Sequence, residues 1–160
     1  HDGSYLWDFP SWVDEHPRSS FAVADHDGDG LDMAFLGMLV EDYPNDDRCN
    51  INGVDLHGDT YYIYSVWDSE VTTSPAIGDI NGDGDLDIVF GTGWHLHGSW
   101  EKDFSIYAVS LVTGRRLWKI TGFDVMADYP VLGDLDGDGK QELIVGTDGG
   151  DASHGFEFRL

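Results

Sequence analysis

Basic residues are scarce in this chain. Eight Lys and Arg stand against 31 Asp and Glu in 160 residues, for a formal net charge of −23. Such a surface repels polyanions, which argues against nucleic acid and anionic membranes as partners. Cysteine is almost absent: Cys49 stands alone, so no intrachain disulfide is possible. That is neutral on compartment, because a fold can be stapled by other means. No apolar run approaches the roughly 20 residues of a membrane helix, so no membrane insertion is expected. No secretory signal is visible, and the chain begins at His1 rather than Met, as a processed chain or a piece of a longer one does. There is no N-x-[ST] sequon, G-x-S-x-G elbow, H-E-x-x-H helix or Cys/His pairing, so catalysis finds little support. Hydrophobic residues at 41% and aromatics at 13% are ample for a core, which argues against disorder.

What the chain does have is an acidic nine-residue loop, three times over. It reads Asp25-His-Asp27-Gly-Asp29-Gly-Leu-Asp32-Met33, then Asp79-Ile-Asn81-Gly-Asp83-Gly-Asp85-Leu-Asp87, then Asp134-Leu-Asp136-Gly-Asp138-Gly-Lys140-Gln-Glu142. Oxygen-bearing side chains fill positions one, three and five, and glycine fills four and six. Hard oxygen donors on a tightly turning backbone suit calcium, which takes six to eight oxygens. Glycine lets the turn close, since it adopts positive φ at little steric cost.

The flanks separate two readings of this loop. An EF-hand loop lies between helices and ends on a bidentate Glu at position twelve, whereas Leu36, Phe90 and Val145 stand there. Short apolar runs precede each loop (Phe21–Ala24, Pro75–Gly78, Pro130–Gly133) and follow it (Met33–Leu36, Ile88–Phe90, Leu143–Val145). Runs this short, rich in β-branched and aromatic residues, read as buried strands. The glycines Gly37, Gly91 and Gly146 close the second of each pair, and repeat like the loops at steps of 54 and 55 residues. Downstream, Ile51–Leu56 aligns with Ile106–Leu111, and Gly58–Ile63 with Gly114–Ile120. Four strands per unit at this period mark a β-propeller blade. The expected fold is therefore all-β, with four-stranded antiparallel blades, about three of them, in one propeller segment spanning 1–160. Its repeat loops lie at 25–33, 79–87 and 134–142. Gly3–Phe9 reads as a last-type strand and Gly155–Leu160 as a third-type strand. Because propellers typically have four to eight blades, a longer parent chain or, second to that, a homo-oligomer is expected.

A strand ending Gly-Asp, a D-x-D-G-D-G loop and a strand closing on Gly-Thr together resemble the FG-GAP repeats of integrin-α-type propellers. The segment from Tyr107 to Trp118 is also similar to outer strands of quinoprotein-like propeller repeats. The first resemblance implies about three calcium ions, each held by side chains one, three, five and nine and by the carbonyl of residue seven. In the second loop these are Asp79, Asn81, Asp83, Asp87 and the Asp85 carbonyl; in the third, Asp134, Asp136, Asp138, Glu142 and the Lys140 carbonyl. The first loop departs from the pattern. Asp25, Asp27 and Asp29 are in place, but Met33 holds position nine and the acid stands one place early at Asp32, so weaker binding is expected. Three ions would bring the charge to −23 + 6 = −17, and with apo carboxylates repelling one another, folding and metal binding should be coupled.

Long segments follow the second strand of each unit: Met38–Asn50, Thr92–Asp103 and Thr147–Gly155. The middle one carries Trp94, His95, His97 and Trp100. Packing of the two Trp rings against a neighbouring blade is the favoured reading. Contact with a sugar or protein comes second, and a transition-metal site at the histidines last. The expected function is a non-catalytic, calcium-stabilised structural or adhesive module, extracellular or at the cell surface, directed to a protein or glycan ligand. The alternative is a calcium-dependent polysaccharide-active enzyme of lyase type.

Overall fold

The computed structural model describes residues 15–40, 48–67, 69–93, 104–123 and 129–146, and every regular element among them is a strand. The first sheet comprises β1 (Glu15–Pro17), β2 (Ala22–Ala24), β3 (Met33–Val40), β4 (Arg48–Val54) and β5 (Thr60–Trp67). Its order is β1-β3-β4-β5, and β2 pairs with the opposite half of β3 from β1. The second sheet repeats this with β6 (Glu70–Val71), β7 (Ala76–Gly78), β8 (Asp87–Gly93), β9 (Phe104–Ser110) and β10 (Arg116–Phe123). A third begins with β11 (Val131–Gly133) paired to β12 (Glu142–Ile144). All pairings are antiparallel, and the sheets are open.

Side-chain alternation explains why the middle sheet is the best packed. On β8, Ile88 and Phe90 face the first sheet and join Phe35, Cys49 and Ile51, while Val89 faces the third with Val145. On β9 the same period of two sends Tyr107 and Val109 one way, and Ile106 and Ala108 the other. A strand covered on both faces reads as a continuous apolar run because neither face meets water. The Phe90 and Tyr107 rings stack across the β8–β9 pair with centroids 5.4 Å apart.

The strands differ from expectation at the closing glycines. β3 runs on to Val40 and β8 to Gly93, so the segments from Met38 and from Thr92 begin as strand. Gly37 is not a terminator. A Cβ there would lie 2.7 Å from both Cβ and Cγ1 of Val71, so glycine stands where β6 of the next sheet approaches closely. The inner strand of the first two sheets is also divided, as β1/β2 and β6/β7, an interruption that sequence pattern did not reveal. At the break a hydroxyl replaces the lost ladder partner: the Gly37 amide donates to Ser19 Oγ at 2.8 Å and the Gly91 amide to Thr73 Oγ1 at 2.7 Å. The ladder resumes as the Arg18 and Thr72 amides donate to the carbonyls of the same two glycines. The expected strands at Gly3–Phe9 and Gly155–Leu160 lie outside the described residues.

Candidate metal centres

The three acidic loops each join an inner strand to its neighbour, β2 to β3, β7 to β8 and β11 to β12. Their turns rest on glycine, with φ of 75° and 88° at Gly28 and Gly30, 77° and 92° at Gly82 and Gly84, and 80° and 88° at Gly137 and Gly139. That left-handed backbone turns the amides inward. The position-one carboxylate takes at least two of them. Asp25 accepts from Gly28 and Gly30 at 2.8 and 2.9 Å, Asp79 from Gly82 and Gly84 at 2.7 and 2.9 Å, and Asp134 from Gly137 and Gly139 at 2.7 and 3.0 Å. Positions three and five each accept the amide two residues on: Asp29 to Asp27, Asp83 to Asn81, Asp138 to Asp136, and then Leu31, Asp85 and Lys140 to the position-five acids.

The carboxylates therefore converge. Asp25, Asp27 and Asp29 bring one oxygen each within 4.8 Å of one another, as do Asp134, Asp136 and Asp138. In the middle loop Asn81 stands for the second acid, and its amide nitrogen donates to Asp83 at 2.9 Å. Hydrogen bonds from the Gly84 amide hold the Asp79 carboxyl below its ordinary value against desolvation, and those of Gly82 and Asp83 assist.

Position nine separates the loops. Asp87 and Glu142 each accept the amide of position two, Ile80 at 3.2 Å and Leu135 at 2.7 Å, which ties the two ends of the loop together. Asp87 is fully buried, and its other oxygen, Oδ1, has no hydrogen-bond partner. Desolvation first, then the charges of Asp83, Asp79 and Asp85, push its carboxyl up to about 6, with the Ile80 amide opposing. An orphaned buried carboxylate oxygen beside three further acids fits a cation, since burial of an unpaired charge is costly. In the first loop Met33 turns to the core beside Phe35, and Asp32 is exposed and lies outside the converging trio. Its position two is His26, whose ring lies edge-to-face with that of Phe35, centroids 5.6 Å apart, and whose Nδ1 is buried without a partner. The side chains of Asp85 and Lys140 are exposed. Trp94, His95, His97 and Trp100 lie outside the described residues.

The structure also shows a concavity that the sequence reading missed. The first loop forms one wall of a cleft of about 410 Å³, with Asp27, Asp29 and Asp32 facing Asp55 of the β4–β5 turn and Tyr61 and Tyr62 of β5. Asp55 shapes that turn by accepting the His57 and Asp59 amides at 2.8 and 2.9 Å. Tyr61 and Tyr62 are 49% and 62% exposed.

The family model described as the FG-GAP repeat matches residues 71–98 and 130–157. These two stretches are FG-GAP repeats. Each matched stretch holds an acidic loop with an acid at position nine, and the departing first loop falls in neither. FG-GAP repeats form β-propeller blades, and the two antiparallel sheets, each of five strands with the inner one divided in two, and the start of a third accord with such blades. No curated protein and no solved structure matches the chain.

Proposed function

We propose that the chain is a calcium-stabilised propeller module that presents its loops to a protein or glycan outside the cytoplasm, at a cell surface or in a secreted assembly. The buried, unpartnered oxygen of Asp87 carries this reading, because at neutral pH a cation would offset the cost of that buried charge. FG-GAP repeats often bind calcium, and they are typical of extracellular or surface proteins. Asp79, Asn81, Asp83 and Asp87, and Asp134, Asp136, Asp138 and Glu142, would hold the ions, with the carbonyls of Asp85 and Lys140. Asp25, Asp27 and Asp29 would hold a weaker one. The ion would supply charge neutralisation and a fixed turn. Calcium is favoured over magnesium by the many oxygens of a flexible site, where magnesium retains waters in strict octahedral geometry. Binding surfaces commonly sit on loops carried by a rigid scaffold, and the cleft beside the first loop offers exposed tyrosine rings for such contact. Val23 and Val131 on the inner strands are 60% and 54% exposed, in keeping with blades that belong to a longer propeller or an oligomer.

Calorimetric titration with calcium tests the reading. Two tight sites and one weaker site are expected, with a melting temperature that rises on saturation and falls with chelator. Identical melting curves in calcium and in chelator would refute it.

A further inference from the structure

The loops of neighbouring blades touch at one defined place. Gly78 is the last residue of β7 and directly precedes Asp79, the first donor of the middle loop. A Cβ on Gly78 would fall on the side-chain oxygen of Gln141 and stand 3.1 Å from Leu132 Cδ1. Gln141 in turn directly precedes Glu142, the last donor of the third loop. The side chain ahead of one loop's closing acid thus lies over the backbone ahead of the previous loop's opening acid. At the preceding interface Leu86, which precedes Asp87, and Ala24, which precedes Asp25, both pack against one core cluster. The inner strands stand side by side to allow this, β2 next to β7 and β7 next to β11.

We infer that the metal sites of adjacent blades are coupled in series, and that Gln141 lying over Gly78 is the positioning contact between the third loop and the second. The inference rests on the calcium reading above. Glu142 closes its loop on the Leu135 amide. Whatever fixes Glu142 also fixes Gln141, the next residue back, and a fixed Gln141 restrains the chain entering Asp79. Ordering that contact is a cost common to both loops. The first ion to bind meets it and the second does not, which is positive cooperativity without a large structural change. Because coupling is reciprocal, each site raises the other's affinity by the same factor. Glycine at 78 leaves room for the Gln141 side chain, and Gln141 itself is exposed, so truncating it leaves the fold and every proposed donor in place.

The experiment is a calcium titration of the full chain, followed site by site by amide NMR. The Gly84 amide, which donates to Asp79, reports the second loop, and the Gly139 amide, which donates to Asp134, reports the third. Asp138→Asn, which cripples the third loop, should weaken calcium binding at the second by about fivefold, at the lower end of measured coupling between sites. With Gln141→Ala already present, the same change should leave the second loop unmoved. Asp83→Asn should weaken the third loop by the same factor when Gln141 is intact. A Gly84 titration indifferent to Asp138→Asn would overturn the inference and leave the calcium reading standing, as would an equal loss with and without Gln141. If neither amide responds to calcium in the unsubstituted chain, both fail together.

Discussion

Replacing Asp87 by Asn should stabilise the metal-free protein and lose that advantage in calcium. Without the ion, Asp87 is a fully buried carboxylate with one oxygen bonded to the Ile80 amide and the other bonded to nothing. Its carboxyl stands at about 6 in the fold against an ordinary 3.8. At pH 7.5 keeping it ionised therefore costs the folded state about 3 kcal/mol. Asn has the same shape and keeps the bond to Ile80, but its amide nitrogen inherits the unpartnered position, which costs about 1 kcal/mol. The net gain is about 2 kcal/mol, or roughly 4–8 °C in melting temperature for a chain of this length. With calcium the gain is cancelled. An ion present at 100 times its dissociation constant stabilises by about 2.7 kcal/mol, and a hundredfold loss of affinity leaves only about 0.4 kcal/mol. Scanning calorimetry at pH 7.5, in chelator and in millimolar calcium, reads both effects on one preparation. The variant should melt above the parent in chelator and lose one site's share of the calcium-dependent rise. An Asn variant that melts lower in chelator would refute the claim that this carboxylate is strained in the absence of a cation.

Two further perturbations follow from the same geometry. Because the folded-state value of Asp87 is raised, its favourable contribution is fully present below pH 3.8 and lost as pH rises through about 6. Metal-free protein should therefore gain stability on acidification from pH 7 to 5, whereas calcium-loaded protein should lose it as protons displace the ion. Melting curves at several pH values, with and without chelator, should slope in opposite directions, and parallel slopes would count against the site. Gly37→Ala would set a methyl 2.7 Å from the Val71 side-chain stem, where no flexible end can swing aside. It should cost about 1–3 kcal/mol by forcing the two sheets apart, seen as a lower denaturation midpoint with unchanged calcium stoichiometry.

Much of the fold was legible because its signals are local and repeated. Glycine at positions four and six needs only the short-range rule that left-handed turns favour it, and all six of those glycines adopt positive φ. The runs around Val89 and Ala108 announced buried strands because both of their faces are covered. The division of the inner strand was not legible, since it depends on a partner elsewhere in the chain. Ser19 and Thr73 each stand six residues ahead of the first loop acid, a coincidence that gains meaning only when their hydroxyls are seen to accept the amides of Gly37 and Gly91. Gly37 was misread for the same reason. A glycine that permits a neighbouring sheet to approach looks, in sequence, like one that ends a strand.

The site follows the same division between local and distant causes. Positions one, three and five are bound by amides two to five residues away, so their geometry is written in the loop itself. Position nine depends on the core. Asp87 and Met33 occupy equivalent places at the start of a second strand, yet one is a buried acid and the other packs beside Phe35. The first loop accordingly gives up the tie between positions two and nine and gains apolar contact. The cleft beside that loop was invisible because its far wall, Asp55 to Tyr62, comes from the last two strands of the same sheet and the turn between them, and no pattern within the loop refers to it. Loops two and three keep their closing acids and are the stretches that the FG-GAP repeat model matches. The loop without a closing acid borders an open cleft that carries Tyr61 and Tyr62, so this concavity forms where the repeat departs from itself.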